Sequence, residues 1–543
     1  MTVPRRILPI VNSDVPVLIA GGSLVGLSAA VFLGQRGVPS LVVERHVGTA
    51  IHPRAALVNQ RTMETYRAVG IEPPIEEAAA REFVQNGAIV SVESLGGKEL
   101  DWYFREINEG VEDLSPSARV FITQIGLEPV LLDKARSGGA EVQYASEVVD
   151  VSQDGDGVTA RIRPRDGGDE RTVRAQYLIA ADGAHSPIRR RLGVEMLGHG
   201  SFSDSITIYF RADIRELLGD RNLSVIYVFH PRLVGFFRFS IDGDAGFLVV
   251  NATIDEDGNR STAIGEDMSE ETCIDYVRLA LGAPDLPVQI ENVQRWSATA
   301  DWAERFAEGR ILIAGDAAHV MPPTGGFGGN TGVQDAFDLA WKLQYVLDGT
   351  ASPALLGTYD AERRPAGEFA VEQAYTRYVL RLDPGLGKEN LQPIVPEDAV
   401  ELGYRYRSDA IQAAPDDDGL VWEDPHAPTA RPGSRAPHLD VERDGSPVST
   451  LDLFGRDFVL LAGADGQAWC EAAASAGKEL GVGVEACRDG ADFGSDRFAE
   501  LYGVGSAGAL LVRPDGFVAW RAADASGDAA AELRGALARA LLR

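Results

Sequence analysis

The chain has 543 residues, which at roughly 150 residues per domain corresponds to two to four domains with sizeable cores. Its 59 glycines, 28 prolines and 45% hydrophobic residues are typical of a globular protein and exclude a low-complexity or disordered chain. The net charge of −30 disfavours nucleic acid and anionic membrane surfaces as partners, and we interpret it as a solvated acidic surface. Cys273, Cys470 and Cys487 are too few and too scattered for a disulfide framework or a zinc site. We therefore expect a cytoplasmic protein without a metal centre.

The N-terminal region predicts a strand, a turn, a helix and a second strand: Val15–Ala20, Gly21–Gly26, Leu27–Gln35 and Ser40–Glu44. The stretch between Asp14 and Arg36 carries no charge and is long enough to cross a bilayer, but proline and glycine residues interrupt it. We expect neither a membrane span nor a signal peptide. The region is a βαβ unit that opens an α/β domain.

The turn at 21–26 fits the dinucleotide-binding pattern G-x-G-x-x-G except that Ser23 replaces the middle glycine. Free backbone amides at the start of the following helix favour binding of a pyrophosphate. Glu44 ends the second strand, where an acidic residue is expected to hold ribose hydroxyls. A glycine turn without a ligand remains an alternative for this motif alone.

The rest of the chain predicts three further regions. Residues 196–295 contain alternating β runs and are expected to form an antiparallel sheet inserted into the α/β domain, which then comprises 1–195 and 296–414, with a helical segment at 360–414. The proline-rich, acidic segment 415–437 predicts a linker. Residues 438–543 predict a third unit of strands and helices.

Two more motifs follow buried strands. The first, at 177–189, contains Asp182-Gly183, and the second, at 315–330, joins Asp316 to a glycine-rich loop. Together with the turn at 21–26 and the segments 339–343 and 359–365, they resemble the group A FAD-dependent aromatic hydroxylases, single-component flavoprotein monooxygenases with the para-hydroxybenzoate hydroxylase fold. In its overall sequence pattern the chain most resembles the hydroxylases that modify polycyclic aromatic polyketides, of the anthracycline, angucycline and tetracenomycin types.

The resemblance implies an α/β fold: a Rossmann-like FAD-binding domain of the glutathione-reductase type, an inserted antiparallel β-sheet substrate domain and a C-terminal thioredoxin-like domain lacking Cys-x-x-Cys. By the same resemblance, Glu44 contacts ribose, Asp316 contacts the ribityl chain, and Asp182-Gly183 serves both FAD and the nicotinamide cofactor. Arg54 remains open as a surface arginine. The implied cofactor-binding residues are Gly21, Gly22, Ser23, Val25, Gly26, Glu44, Arg45, Arg54, Gln124, Asp182, Gly183, Asp316, Pro323, Gly326, Gly328, Gly329 and Asn330.

The resemblance also implies the reaction. NADPH or NADH reduces FAD, dioxygen forms the flavin 4a-hydroperoxide, and one oxygen atom is transferred to a polycyclic aromatic polyketide. Epoxidation, Baeyer–Villiger insertion, antibiotic inactivation, and a flavin reductase or dehydrogenase without oxygen transfer remain alternatives. A flavin-binding protein without turnover is a further alternative, which the intact glycine-rich loop disfavours. We expect a monomer or homodimer whose partner is a small aromatic molecule, with no nucleic acid or membrane partner.

The substrate is expected between the inserted sheet and the flavin, where aromatic side chains offer flat apolar faces. Because residues alternate between the two faces of a strand, only about half of the candidates are expected to face the substrate. The sequence identifies no catalytic base. Candidate lining residues are Tyr227, Phe229, Phe237, Phe239, Trp296, Trp302, Pro323 and Thr324, and the candidate catalytic residues are Tyr227 and Arg377.

Overall fold

The computed structural model describes residues 14–543 apart from 53–55, 256, 258, 262–263, 265–267, 390, 414–416 and 526. The described helices are α1 (Leu24–Gln35), α2 (Gln60–Ala68), α3 (Glu72–Glu82), α4 (Gln124–Ser137), α5 (Pro187–Arg191), α6 (Arg215–Leu218), α7 (Glu270–Leu281), α8 (Phe327–Leu347), α9 (Gly357–Arg381), α10 (Glu397–Leu402), α11 (Gln467–Leu480), α12 (Phe498–Tyr502) and α13 (Ala529–Ala540). The described strands of the N-terminal half are β1 (Val15–Ala20), β2 (Ser40–Val43), β3 (Ala88–Val92), β4 (Glu99–Phe104), β5 (Glu141–Gln143), β6 (Ser146–Gln153), β7 (Val158–Pro164), β8 (Arg171–Ala180), β9 (Met196–Arg211), β10 (Leu223–His230), β11 (Leu233–Phe239), β12 (Ala245–Ile254) and β13 (Arg260–Ser261). Those that follow are β14 (Gln289–Ala303), β15 (Ala307–Glu308), β16 (Ile311–Ile313), β17 (His319–Val320), β18 (Asp440–Arg443), β19 (Ser446–Ser449), β20 (Phe458–Ala462), β21 (Val484–Arg488), β22 (Ala509–Val512) and β23 (Val518–Ala522).

The first sheet carries the predicted βαβ unit at its centre. Its strand order is β15-β16-β8-β1-β2-β5, and β1 pairs in parallel with both β2 and β8. Strand β1 is an apolar run because both of its faces are buried: Val17 and Ile19 pack in the cluster that contains α1, and Leu18 and Ala20 pack in the cluster that contains β6 and β7. Parallel strands end at one edge of the sheet, so β1, β2, β8 and β16 bring the turns that follow them together there.

The second sheet has the order β17-β14-β9-β12-β11-β10-β3-β4. Its pairings are antiparallel, as predicted, except that β10 runs parallel to β3. Helix α7 packs on one face of this sheet, and the other face is turned toward the first sheet's domain. The sheet extends beyond 196–295, because β3 and β4 join it from the N-terminal region and β14 continues to Ala303.

The C-terminal unit contains a four-stranded sheet of order β21-β20-β22-β23, with α11 and α13 packed together. It packs against α8 of the first domain, since Trp341 and Tyr345 are buried against Phe458. Part of the predicted linker is also packed: Gly433 N donates a hydrogen bond of 2.8 Å to Val518 O, and Ser434 O accepts one of 2.9 Å from Val518 N. The described part of the linker therefore joins the C-terminal sheet rather than hanging free.

Among the helices of the described residues, none combines the length and the apolar character that crossing a bilayer requires.

Candidate active site

One cavity of about 1750 Å³ extends from the turn after β1 to the open face of the second sheet. Most of the cofactor residues predicted from the sequence line this cavity, although they come from distant parts of the chain. They are Gly21, Gly22, Ser23, Val25, Glu44, Arg45, Gln124, Asp182, Gly183, Asp316, Pro323, Gly326, Gly328 and Gly329. Arg54 lies outside the described residues.

The turn at 21–26, the phosphate turn, needs glycine where the backbone passes close to its neighbours. Gly21 has a φ of +104°, and a Cβ there would lie 2.1 Å from Ala181 O. A Cβ on Gly26 would lie 1.9 Å from Gly21 O, so Gly26 lies against the turn rather than lining the cavity. Ser23 occupies the N-cap of α1 without a capping side-chain bond. Its hydroxyl instead donates to Glu128 Oε1 at 2.5 Å.

Two carboxylates organise the segment beside this turn. Glu44 accepts hydrogen bonds from Gly22 N at 2.6 Å and from His46 N at 2.8 Å. Glu128, which the sequence analysis did not select, also accepts a hydrogen bond from Ala50 N at 2.7 Å. Burial raises the pKa of Glu128. Glu128 lies in the first turns of α4, after the capping residue Thr123 and the predicted site residue Gln124. Its closeness to Gln124 on this helix is the feature of the sequence that could have identified it.

The second and third motifs meet at the same edge of the first sheet. Asp182 Oδ2 accepts a hydrogen bond of 3.2 Å from Ile188 N, while its buried Oδ1 has no hydrogen-bond partner among the described residues. Burial raises the pKa of Asp182. Asp316 is exposed and lines the cavity. The preceding residue, Gly315, lies close against α1: a Cβ on it would lie 2.7 Å from Val25 Cγ2.

The glycine loop, residues 325–330, leads into α8. Gly325 and Gly326 have φ values of +86° and +68°, and α8 begins at Phe327. Asn330 does not line the cavity: its Nδ2 donates to Leu57 O at 2.9 Å and to Gly326 O at 2.7 Å. Asn330 therefore holds the loop in place. It was predicted to contact the cofactor, but its side chain does not line the cavity. A Cβ on Gly328 would meet only Met321 Cγ, at 3.5 Å, and otherwise open space.

These features fit FAD. The phosphate turn leads into the N-terminus of α1, which would suit a pyrophosphate. Glu44 and Asp316 line the cavity where they could accept from sugar hydroxyls, and the cavity beside Gly328 is open enough for a flat ring. The amide end of α8 is positive and suits the electron-rich side of a reduced flavin.

Charged residues of the motifs at 339–343 and 359–365 form buried ion pairs. His319 Nε2 lies 2.7 Å from Asp335 Oδ2, and Arg363 Nε donates to Asp335 Oδ1 at 2.8 Å, which makes His319 a packed residue rather than one aimed at the cavity. Lys342 Nζ donates to Asp338 and Glu362, each at 2.8 Å. Asp338, Glu362 and Asp515 lie close enough to hold a metal ion, but Lys342 and Arg513 already pair with them.

Four of the residues predicted to contact the substrate line the cavity: Tyr227, Trp296, Pro323 and Thr324. The predictions for Phe237 and Phe239 were wrong: both pack on the opposite face of the sheet against α7. Alternation along β11 instead turns their neighbours Phe236 and Arg238 to the cavity. Phe229 and Trp302 do not line the cavity either.

Arg377 does not reach the cavity, contrary to the prediction. It is 1% exposed, its Nη2 donates to Val395 O at 2.5 Å, and its guanidinium lies 5.3 Å from the centre of the Phe327 ring. Arg381, one helical turn later, lines the cavity and donates to Glu397 Oε1 at 2.8 Å.

Tyr227 and Glu401, on the side of the cavity that faces the second sheet, have shifted pKa values. Burial raises the pKa of Tyr227, against the opposing charge of Arg381. Burial likewise raises the pKa of Glu401 to about 7, although Arg119 lies 3.0 Å from its Oε2. The Tyr227 hydroxyl is therefore a protonated hydrogen-bond donor at neutral pH.

The fold and the site define an FAD-binding oxidoreductase. Residues 14–374 match the family described as "FAD binding domain", and 429–543 match "Aromatic-ring hydroxylase, C-terminal". The chain is 49% identical to a 4-methyl-5-nitrocatechol 5-monooxygenase from Burkholderia sp over 100% of both chains. It is 40% identical to aklavinone 12-hydroxylase RdmE of Streptomyces purpurascens, over 98% of this chain and 100% of that protein.

The crystal structure of an aklavinone-11 hydroxylase with FAD and aklavinone matches with a TM-score of 0.92 and 39% identity, over 98% of this chain and 100% of that one. The chain belongs to the FAD-binding aromatic-ring hydroxylases, and it is an FAD-dependent monooxygenase. Its resemblance to that family and its predicted fold class are confirmed.

Proposed function

We propose that this monooxygenase consumes NADPH or NADH and dioxygen to hydroxylate a fused-ring phenol of the aromatic polyketide type. The width of the cavity wall carries the proposal. Trp296 on β14, Tyr209 on β9, Phe247 on β12, Phe236 on β11 and Tyr227 on β10 line it from five neighbouring strands. Four strand spacings of about 4.8 Å span roughly 19 Å. A wall of this width suits several fused rings, whereas one benzene ring covers about one spacing.

A nitrocatechol-type substrate with a single ring is the second candidate. The observation that favours it is the 49% identity to the 4-methyl-5-nitrocatechol 5-monooxygenase, against 40% to the aklavinone hydroxylase. A small phenol would leave much of the aromatic wall uncovered, so the wall's width favours the fused-ring substrate.

The chain's own residues would bind and orient the substrate. FAD, when bound, supplies the redox chemistry that activates dioxygen. Tyr227 Oη donates a hydrogen bond to a substrate oxygen, with Arg381 and Glu397 behind it as a neutral pair. Thr324 Oγ1 donates to Ala374 O at 2.6 Å, which fixes the loop between substrate and cofactor. The aromatic wall excludes water that would otherwise divert the activated oxygen.

The proposal is tested by anaerobic reduction of the FAD-loaded enzyme with NADPH or NADH, with and without hydroxyanthraquinones and nitrocatechols. Air is then admitted and the products are analysed by mass. We expect a fused-ring phenol to accelerate reduction and to gain one oxygen atom at an aromatic carbon. Gain of oxygen only by nitrocatechols would support the single-ring candidate. Oxygen in a new ester or epoxide, or reduction indifferent to every phenol, would contradict the proposed hydroxylation.

Asp316→Ala should weaken FAD binding by roughly 1.5–3 kcal/mol, because a charged acceptor for a ribityl hydroxyl is lost. Titration of the apoprotein with FAD, followed by flavin fluorescence, measures the change. Asp133→Ala is the matched control, because Asp133 is exposed on α4 away from the cavity. Unchanged FAD affinity in the Asp316 variant would remove this carboxylate from the cofactor site.

A further inference from the structure

Arg238 is a buried cation in the wall of the substrate cavity. It lies on β11, it is 3% exposed, and it lines the cavity because its neighbours in the strand, Phe237 and Phe239, face the opposite side. Its guanidinium lies 3.8 Å from the centre of the Phe83 ring and 4.0 Å from that of the Phe121 ring. The two rings hold its plane in place but supply no hydrogen-bond acceptor.

The charge of Arg238 is not balanced by a carboxylate within the described residues. Its Nη1 donates to Ala56 O at 3.1 Å, and its Nε is buried without a hydrogen-bond partner in the described part of the chain. Glu82 is the acidic group that influences it, but the Glu82 carboxylate accepts bonds of 2.7 and 3.1 Å from Thr123. Burial lowers the pKa of Arg238 to about 9, which still leaves it charged at neutral pH.

Among the described residues, two further buried or half-buried arginines line this side of the cavity, and both are paired. Arg119 pairs with Glu401 at 3.0 Å and Arg381 with Glu397 at 2.8 Å. A buried cation without an anion is costly, and a ligand that brings a negative oxygen relieves that cost. Arg238, unlike these two paired arginines, therefore has a positive charge that can pair with a negative group on a ligand.

The position of Arg238 relates that charge to the reaction. Ala56, which accepts its hydrogen bond, precedes Leu57, whose carbonyl accepts from Asn330 and whose side chain contacts Gly326 in the glycine loop. An oxygen held by Arg238 is thus anchored near the flavin end of the cavity. Ionising a phenol makes its ring more electron-rich, which is the form that an electrophilic oxygen donor attacks.

We propose that Arg238 binds the ionised oxygen of a phenolic substrate and so selects the phenolate over the neutral phenol or its ether. The inference rests on the proposed function, because it assigns a specificity determinant within the same cavity. Arg238 is a positioning residue, which holds the ring oxygen while the neighbouring carbon reacts.

The test uses FAD-loaded enzyme without NAD(P)H and follows binding by visible absorbance from pH 5 to 9. The probes are alizarin and 4-nitrocatechol, each paired with its dimethyl ether. For the wild type we expect a bound phenol to have a lower pKa than the free phenol. Arg238→Met should abolish that shift and weaken binding of the ionised probe by about 10- to 100-fold, while binding of the ether changes less than about threefold.

Arg238→Lys is the second variant, because it keeps the charge while losing the planar stacking. We expect it to retain part of the pKa shift of the bound phenol. Arg232→Met, at an exposed position on the same hairpin, is the matched control and should behave as wild type. Flavin content and thermal unfolding of each variant identify any general loss of fold, and the lysine variant serves if the methionine variant does not fold.

The outcomes separate this inference from the proposed function. Equal losses of phenol and ether binding, or an unchanged pKa of the bound phenol in Arg238→Met, would make Arg238 a packing residue even if the wild type hydroxylates the probe. An Arg238-dependent pKa shift without oxygen incorporation would support the inference and contradict the proposed function. Binding of none of the four probes would overturn the inference.

Discussion

Replacing Arg513 with methionine is expected to lower the free energy of unfolding by about 3–5 kcal/mol, because it leaves buried carboxylates without their partner. Arg513 lies between β22 and β23 and is 0% exposed. Its Nη1 and Nη2 donate to the two oxygens of Glu362 at 2.7 and 2.8 Å, and it also pairs with Asp515 and, at 3.5 Å, with Asp338.

The expected loss of unfolding free energy follows from the buried carboxylates that remain when Arg513 is removed. Without Arg513, Lys342 still pairs with Asp338 and Glu362, but Asp515 loses the cation that it pairs with, and all three carboxylates are buried. The pKa of Glu362 is held below its usual range by Arg513 and Lys342, so removing the arginine favours protonation or water entry there. Because Glu362 lies on α9 and Lys342 on α8, the damage reaches the helix that begins at the glycine loop. We therefore expect the flavin domain and the C-terminal unit to unfold together.

Unfolding of FAD-loaded wild type and variant in urea, followed by far-UV circular dichroism and flavin fluorescence, measures this. Arg534→Met is the matched control, since its pair with Glu479 at 2.7 Å is exposed and should contribute at most about 1 kcal/mol. Stability of the Arg513 variant within 1 kcal/mol of wild type, or separate transitions for the two probes, would contradict a shared ion cluster.

Local signals in the sequence were sufficient for the first βαβ unit. Strand β1 has the predicted bounds, Val15–Ala20, and α1 ends at the predicted Gln35 but begins three residues earlier, at Leu24. A glycine turn between apolar strands dictates this geometry, so distant contacts are not needed to predict it. In the C-terminal unit the pattern predicts β20, β22 and β23, whereas the strand β21 at Val484–Arg488 was not predicted.

The substrate side depended on information that the local sequence lacks. Alternation along β11 predicts two faces, but which face meets the cavity is decided by α7, which packs over Phe237 and Phe239. Arg377 and Arg381 lie on one helix a turn apart, and the packing of Phe327 against the first leaves the second at the cavity. Which strand face and which arginine reach the cavity therefore depends on contacts between residues far apart in the chain. The local sequence pattern does not distinguish between the two faces or between the two arginines.

The cofactor position is tested most directly by two glycines that differ in what surrounds them. Gly26→Ala should destabilise the protein by about 3 kcal/mol and abolish flavin retention, because its Cβ would lie 1.9 Å from a backbone oxygen that cannot move away. Gly328→Ala should leave the apoprotein as stable as wild type, or more stable by up to about 1 kcal/mol, since alanine favours a helix.

Gly328→Ala should nevertheless weaken FAD binding at least tenfold, because the added methyl group enters the cavity, where the described residues place only Met321 Cγ within 4 Å. Urea unfolding of the apoproteins and titration with FAD separate the two effects. A Gly328 variant that binds FAD as wild type does would place the flavin ring away from this end of α8. A stable Gly26 variant would show that α1 can shift relative to the phosphate turn. The pair thus distinguishes glycine kept for the chain's own packing from glycine kept for the cofactor, a distinction that the sequence motif cannot make.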